Sequence, residues 1–108
     1  MMDFQKFQRD IYDNKVAKGF NVTNVEQEFC FLHEEVSEAY RAYRKKLPDL
    51  GEELADVAIY LFGLAQILGI DLEQEILRKM EKNKNRTYRD VDGVLTRIED
   101  EKEKPPVP

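Results

Sequence analysis

The stretch EELADVAIYLFGLAQILGI, residues 52–70, decides the fold. From Leu54 to Ile70 only Asp56 and Gln66 are polar, and a helix that is apolar on nearly every face is expected to be buried on nearly every face. Leu50, Leu54, Val57, Leu61, Leu64 and Leu68 recur at alternating spacings of four and three, the seam of a helix packed lengthwise on others. Asp49 is placed to cap it, with Glu52 three residues on, and Gly69 closes it. Asp56 is the anomaly, because a carboxylate inside such a helix needs a partner.

Working outward, three further segments read as helices, and nothing reads as a strand with period two. The expected class is all-α, a four-helix bundle. Asp3 to Lys18 places Phe4, Phe7 and Ile11 on one stripe and stops at Gly19. A second segment starts at TNVE, with Thr23 as cap and Glu26 reaching back, and runs to Pro48 with Val25, Phe29, Leu32, Val36, Ala39 and Tyr43 as its seam. A fourth, capped by Asp71, has Leu72, Ile76 and Met80 inward and turns basic toward its end. The domain is expected over residues 1–89. Residues 90–108 form a tail with a turn at Asp92-Gly93, a charge run and a disordered last ten residues. Three neighbours from so small a chain barely cover residues 52–70, so a homodimer or dimer of dimers is expected, with side chains such as Phe62 donated to the partner.

The bulk numbers narrow the function. The chain has 108 residues, one cysteine and a formal net charge of −5. Cys30 excludes an internal disulfide framework, and MMDFQKFQRD carries no signal-peptide pattern, so the expected compartment is the cytoplasm. The longest apolar run is too short for a bilayer and contains Asp56, so no membrane partner is expected. No basic run tracks a phosphate backbone, so no polymeric nucleic acid is expected either.

The acids carry the chemistry. EEVSEA at 34–39 and EELADV at 52–57 match position by position at an offset of 18 residues. Glu35 with Glu38, and Glu53 with Asp56, stand three apart on one helix face, each pair one residue before a seam position. That register, about 100° from the seam, sets both pairs at the edges of a helix–helix interface. If the second and third segments are antiparallel, four carboxylates converge and oppose their own ionisation. A hard divalent cation, Mg2+ with Mn2+ as substitute, resolves the conflict. A solvated acidic face, or a salt bridge from Asp56 to a lysine or arginine, is the bland alternative. A ferritin-type di-iron site needs Glu-x-x-His, which is missing; His33, the one histidine, reads as a helix-surface or pocket-edge residue.

Lys79, Asn83 and Arg86 form one stripe of the fourth helix, a row of donors suited to polyphosphate or simply a solvated basic helix end. Tyr60 continues the stripe of Glu53 and Asp56, and Phe31 precedes Glu35 by one turn. Both rings are candidates for stacking on a nucleobase, or plain core.

EEVSE, EELADVAIYL and KMEKNKNRTY, in this order and spacing, resemble the MazG-like nucleotide pyrophosphohydrolases of the all-α NTP pyrophosphatase superfamily, over residues 24–88 or so. The resemblance implies Glu35, Glu38, Glu53 and Asp56 as magnesium ligands, Lys79, Asn83 and Arg86 as the phosphate-handling group, and Tyr60 near the nucleotide. It implies cleavage of nucleoside triphosphates between the α and β phosphates to a monophosphate and pyrophosphate. Several relatives wall the base with tryptophan, which this chain lacks, so Phe20, Phe31, Tyr40 or Tyr43 would form the wall. Water is the expected nucleophile, with Glu34 or a ligand carboxylate, Glu35 or Glu38, as its base. Two alternatives stand beside this reading: a non-enzymatic helical interaction module, and a pyrophosphohydrolase of another phosphorylated metabolite.

Overall fold

The computed structural model describes residues 2–98. Its order is α1 (Phe4–Lys18), α2 (Val25–Arg44), α3 (Leu50–Ile67), α4 (Leu72–Lys84), β1 (Thr87–Val91) and β2 (Val94–Ile98). The class is all-α, with one hairpin added. No single helix among the described residues is long and apolar enough to cross a membrane. The expectation of disorder for the last ten residues lies outside the described residues. The chain divides into two compact units, one up to Glu73 and one from Gln74 on.

In the first unit the helix ends follow local chemistry. Asp3 caps α1, its carboxylate accepting from the Lys6 amide at 3.0 Å. For α2 the cap is Asn24, not Thr23: the Asn24 side chain accepts from the Gln27 amide at 3.0 Å, while Asn21 Oδ1 accepts from the Thr23 and Asn24 amides. Asparagine caps at least as well as threonine, and the Asn21 turn sets it in place. Asp49 stands at the start of α3 but makes no capping hydrogen bond, another departure from the expected capping box.

Three helices end the same way. The amide just past the helix end returns to a carbonyl in the last turn, by Phe20 to Lys15, Leu47 to Ala42 and Ile70 to Ala65, each at 2.9 Å. The pivot residue lies in the left-handed region, as Gly19 and Gly69 at φ 74° and 69°, but as Lys46 at φ 56° after α2. That reversal ends α2 at Arg44, ahead of Pro48.

α3 is the central helix of this unit and packs on both α1 and α2. Gly63 lets α1 approach closely: a Cβ there would stand 3.0 Å from Lys15 Cε and 3.2 Å from Ile11 Cγ2. Phe62 is half-buried and packs on Phe4, ring centroids 5.5 Å apart. Gln8 is buried with its polar atoms satisfied, donating to Gln66 Oε1 and Ile70 O and accepting from the Leu72 amide.

The two seams split. On α2, Val25, Leu32 and Ala39 are buried or half-buried, and on α3 so are Leu50, Val57 and Leu64. The alternate positions, Phe29, Val36 and Tyr43 on α2 and Leu54, Leu61 and Leu68 on α3, are exposed. Within the first unit each seam therefore packs along one edge, because a strict heptad stripe has two sides and α3 is packed there by α1 and α2.

In the second unit α4 is exposed along most of its length, and Met80, expected inward, is 62% exposed. β1 and β2 pair antiparallel from Thr87 with Ile98 to Val91 with Val94. Asp92 and Gly93, at φ 53° and 81°, make the two-residue turn, the Asp-Gly pairing that hairpins favour. Asp90 Oδ1 accepts from the Gly93 amide at 2.7 Å. These strands correct the expectation of none, and β1 runs across position 89/90, where the sequence divides domain from tail. Their side chains are nearly all exposed, so the alternation that reveals a half-buried strand is missing and the turn alone signals the hairpin.

Candidate functional site

Contacts between α2 and α3 descend one helix as they ascend the other. Glu38 lies against Glu53, Glu35 is within electrostatic reach of Asp56, and Phe31 meets Tyr60 with ring centroids 6.1 Å apart. The helices are antiparallel, as expected, and the two acidic motifs face one another.

Glu35, Glu38 and Glu53 each contribute a carboxylate oxygen to a group whose atoms all lie within 4.8 Å of one another. Burial first, then the charges of Glu38, Asp56 and Glu53, then a hydrogen bond with Glu38, hold the Glu35 carboxyl above its ordinary value of 4.5. Burial first, then Glu38, Asp49 and Asp56, raises Glu53 in the same way. Glu38 is thus the hub. Glu35 Oε2, Glu53 Oε2 and Asp49 Oδ1 are shielded from solvent without a hydrogen-bond partner. Shielded carboxylate oxygens without donors are costly, and a hard divalent cation matches such a donor set.

Asp56 departs from the expectation that it is buried. It is exposed, because the first half of α3 turns other faces to solvent around it and the buried part of the helix is Gly63 to Ala65. Among the described residues it makes no salt bridge, so the lysine or arginine alternative for it is not realised. It stands beside the carboxylate trio and lines a cavity of about 400 Å3 between α1 and α3. Glu34 and His33 are exposed on α2.

That cavity is walled by Ile11, Ile59, Phe20 and Tyr60, with Asp10, Asn14 and Lys15 as its other polar residues. A second cavity of about 340 Å3 shares Lys15, Phe20 and Tyr60 and adds Phe31, Asn21, Gln27 and Glu28. Of the four expected wall aromatics, Phe20 and Phe31 line these cavities. Tyr40 and Tyr43 line neither, and Tyr40 lies instead beneath the Arg44 guanidinium. Burial, then the charges of Glu35, Glu28, Asp56 and Glu34, push the Tyr60 phenol up from 10.0.

Sequence reasoning missed the pair between the cavities. Lys15 and Glu28 are both buried and joined by an ion pair. Asn21 Nδ2 donates to the other Glu28 oxygen at 3.3 Å, and Lys15 Nζ stands 4.7 Å over the Tyr60 ring. The available signal was position: Lys15 follows Ile11 by one turn on the apolar stripe of α1, and Glu28 lies between Val25 and Leu32 on that of α2.

In the second unit, Asn83 lies in α4 and Arg86 just beyond its end at Lys84, not on the helix as expected. The two side chains are nonetheless together, Arg86 Nη1 donating to Asn83 Oδ1 at 2.9 Å, while Arg86 Nε is shielded and without a partner. Lys79 is an exposed residue of α4.

Comparison with curated proteins finds no match. Among solved structures, that of a cyanophage S-2L MazG-like pyrophosphohydrolase, bound to dGDP and three catalytic Mn2+ ions per active site, matches with a TM-score of 0.70 and 24% identity, covering 92% of this chain and 100% of that one. The model of the MazG-like family matches residues 19–100, a span that takes in both acidic motifs, the antiparallel pairing that brings them together and the hairpin. On that match the chain belongs to the MazG-like family.

Proposed function

We propose that this protein is a divalent-metal-dependent nucleotide pyrophosphohydrolase that hydrolyses nucleoside triphosphates between the α and β phosphates, giving a monophosphate and pyrophosphate. Mg2+ is the working ion, with Mn2+ as substitute. The observation that carries the reading is the carboxylate trio of Glu35, Glu38 and Glu53, with two shielded oxygens lacking any donor. The nucleotide and metal ions in the cyanophage enzyme of like fold support it.

Glu35, Glu38 and Glu53 hold the metal, with Asp56 as fourth ligand. A divalent cation bound there supplies Lewis acidity toward phosphate oxygens and lowers the pKa of water. Glu34, next to a ligand and exposed, orients the attacking water and accepts its proton, with Glu35 or Glu38 as the other candidate bases. The water oxygen bonds to the α phosphorus as the bond to the bridging oxygen breaks, and pyrophosphate leaves. Lys79 and Arg86 are assigned to neutralise phosphate charge and Asn83 to donate a hydrogen bond to it, and Tyr60 and Phe31 to flank the base. We assign the activity to residues 1–89, with 90–108 as tail. Cys30, exposed and unpaired, suits a reducing cytoplasm. The assembly in this reading is a homodimer, or a dimer of dimers, which the exposed halves of the α2 and α3 seams support.

A panel of nucleoside triphosphates, diphosphates and phosphorylated metabolites, with Mg2+ and with chelator, scored for pyrophosphate against phosphate release, tests this. Metal-dependent pyrophosphate release from triphosphates is expected. Release from another metabolite alone moves the substrate, and no turnover with any of them leaves a helical interaction module. Asp56→Asn is expected to lower kcat by at least about 10²-fold with an unchanged far-UV circular dichroism spectrum. Normal turnover by that variant would remove Asp56 from the ligand set.

A further inference from the structure

We propose that Lys15 is a specificity-determining residue, reading the substrate's base by donating a hydrogen bond to a ring carbonyl and so favouring keto bases over amino bases. The proposal rests on the reading above, since it places the nucleobase in the cavity that Asp56 joins to the acids.

Among the described residues Lys15 is the one cation that lines either cavity, and it lines both. Its ammonium is held from two sides. Glu28 accepts one N–H and the face of Tyr60 draws another, and an ammonium has three donors and no acceptor. The third N–H is therefore available at a wall shared with Phe20, a ring suited to a flat ligand. Lys15 is 6% exposed, and its place is fixed by Glu28, itself held by Asn21. This is a preorganised donor in a mostly apolar chamber, the arrangement that fixes orientation in small-molecule sites. Guanine, hypoxanthine, uracil and thymine offer a carbonyl oxygen at the position where adenine and cytosine carry an amino group. An amino group there sets donor against donor and leaves the ammonium without its third partner. Sites built to hydrogen-bond one substrate group discriminate strongly against its absence.

The test compares kcat/KM for dGTP, dTTP, dATP and dCTP with Mg2+, using the full chain and the double variant Lys15→Met/Glu28→Gln, which removes the ammonium without stranding a carboxylate. Keto substrates are expected to lead by about 10–100-fold in the wild type, and the preference is expected to shrink to about 3-fold or less in the variant. A preference that persists in the variant, or a wild type without one, overturns the assignment. Should the variant not fold, the wild type alone decides through inosine against purine riboside triphosphate, which differ at the carbonyl: equal kcat/KM refutes the proposal. Calorimetry with inosine and purine riboside monophosphates in chelator reads the cavity apart from hydrolysis. A keto preference there with no turnover of any triphosphate keeps the cavity assignment and sinks the enzymatic reading. Turnover with no keto preference does the reverse.

Discussion

At the scale of single residues, the protein is organised by two groups of charge with opposite solutions. Lys15 and Glu28 neutralise one another inside the first unit, and removing one partner of such a pair costs about 3–5 kcal/mol because the other is left buried and alone. Lys15→Met is therefore expected to lower stability in urea by about that amount, and Lys15→Met/Glu28→Gln by clearly less, as read from equilibrium denaturation. Equal losses would mean that the pair contributes through packing alone. The carboxylate trio has no such internal answer. The Glu35 and Glu53 carboxyls sit above 4.5 in the folded protein, so their contribution to stability is fully present below that value and is lost as pH rises through their raised pKa values. In chelator, the melting temperature of Glu53→Gln is thus expected to gain on the wild type as pH is raised from the mildly acidic range to neutrality. Excess Mg2+ or Mn2+ is expected to reverse the order by stabilising the wild type. A difference that stays constant across pH would mean that Glu53 titrates as an ordinary surface acid.

At the scale of elements, local chemistry sets most of the boundaries and tertiary contact sets the rest. α1 ends at Gly19 and α3 just before Gly69, where positive φ has no steric cost. α2 uses the same return with a lysine at φ 56°, a conformation that costs a residue with a Cβ about 1 kcal/mol. Lys46→Gly is accordingly expected to stabilise the protein by about 0.5–1 kcal/mol with no change in hydrolysis, measured by chemical denaturation. A loss of stability would show that the Lys46 side chain holds more than its backbone costs. The helices themselves were legible because four periodic segments carry recognisable stop signals. The hairpin was not, since exposed strands leave no alternation and Asp92-Gly93 reads equally well as an isolated turn. The cap of α2 was not legible either, since Thr23 and Asn24 can both cap and only the Asn21 turn decides for Asn24.

At the scale of the whole molecule, the exposed stripes at 29, 36 and 43 and at 54, 61 and 68 are the main unsettled surface of the first unit. Heptad-spaced apolar residues on two antiparallel helices fit a second copy better than water. Sedimentation equilibrium is expected to give a dimer or tetramer, and Val36→Glu combined with Leu61→Glu a smaller species. A wild type that sediments as a monomer at micromolar concentration would leave those side chains without a partner.

The sequence by itself determined the helical class, the pairing of the two acidic motifs and the rings that continue them, because all three follow from helical period and an antiparallel connection. Only the tertiary structure decided that three of the four acids form the tight group, that Asp56 opens onto a cavity, and that Lys15 and Glu28 meet at its wall. Each of these depends on how closely α1 and α2 approach α3. That distance is set by the absence of a side chain at Gly63 and by interlocking contacts between helices, which no periodicity within one helix records.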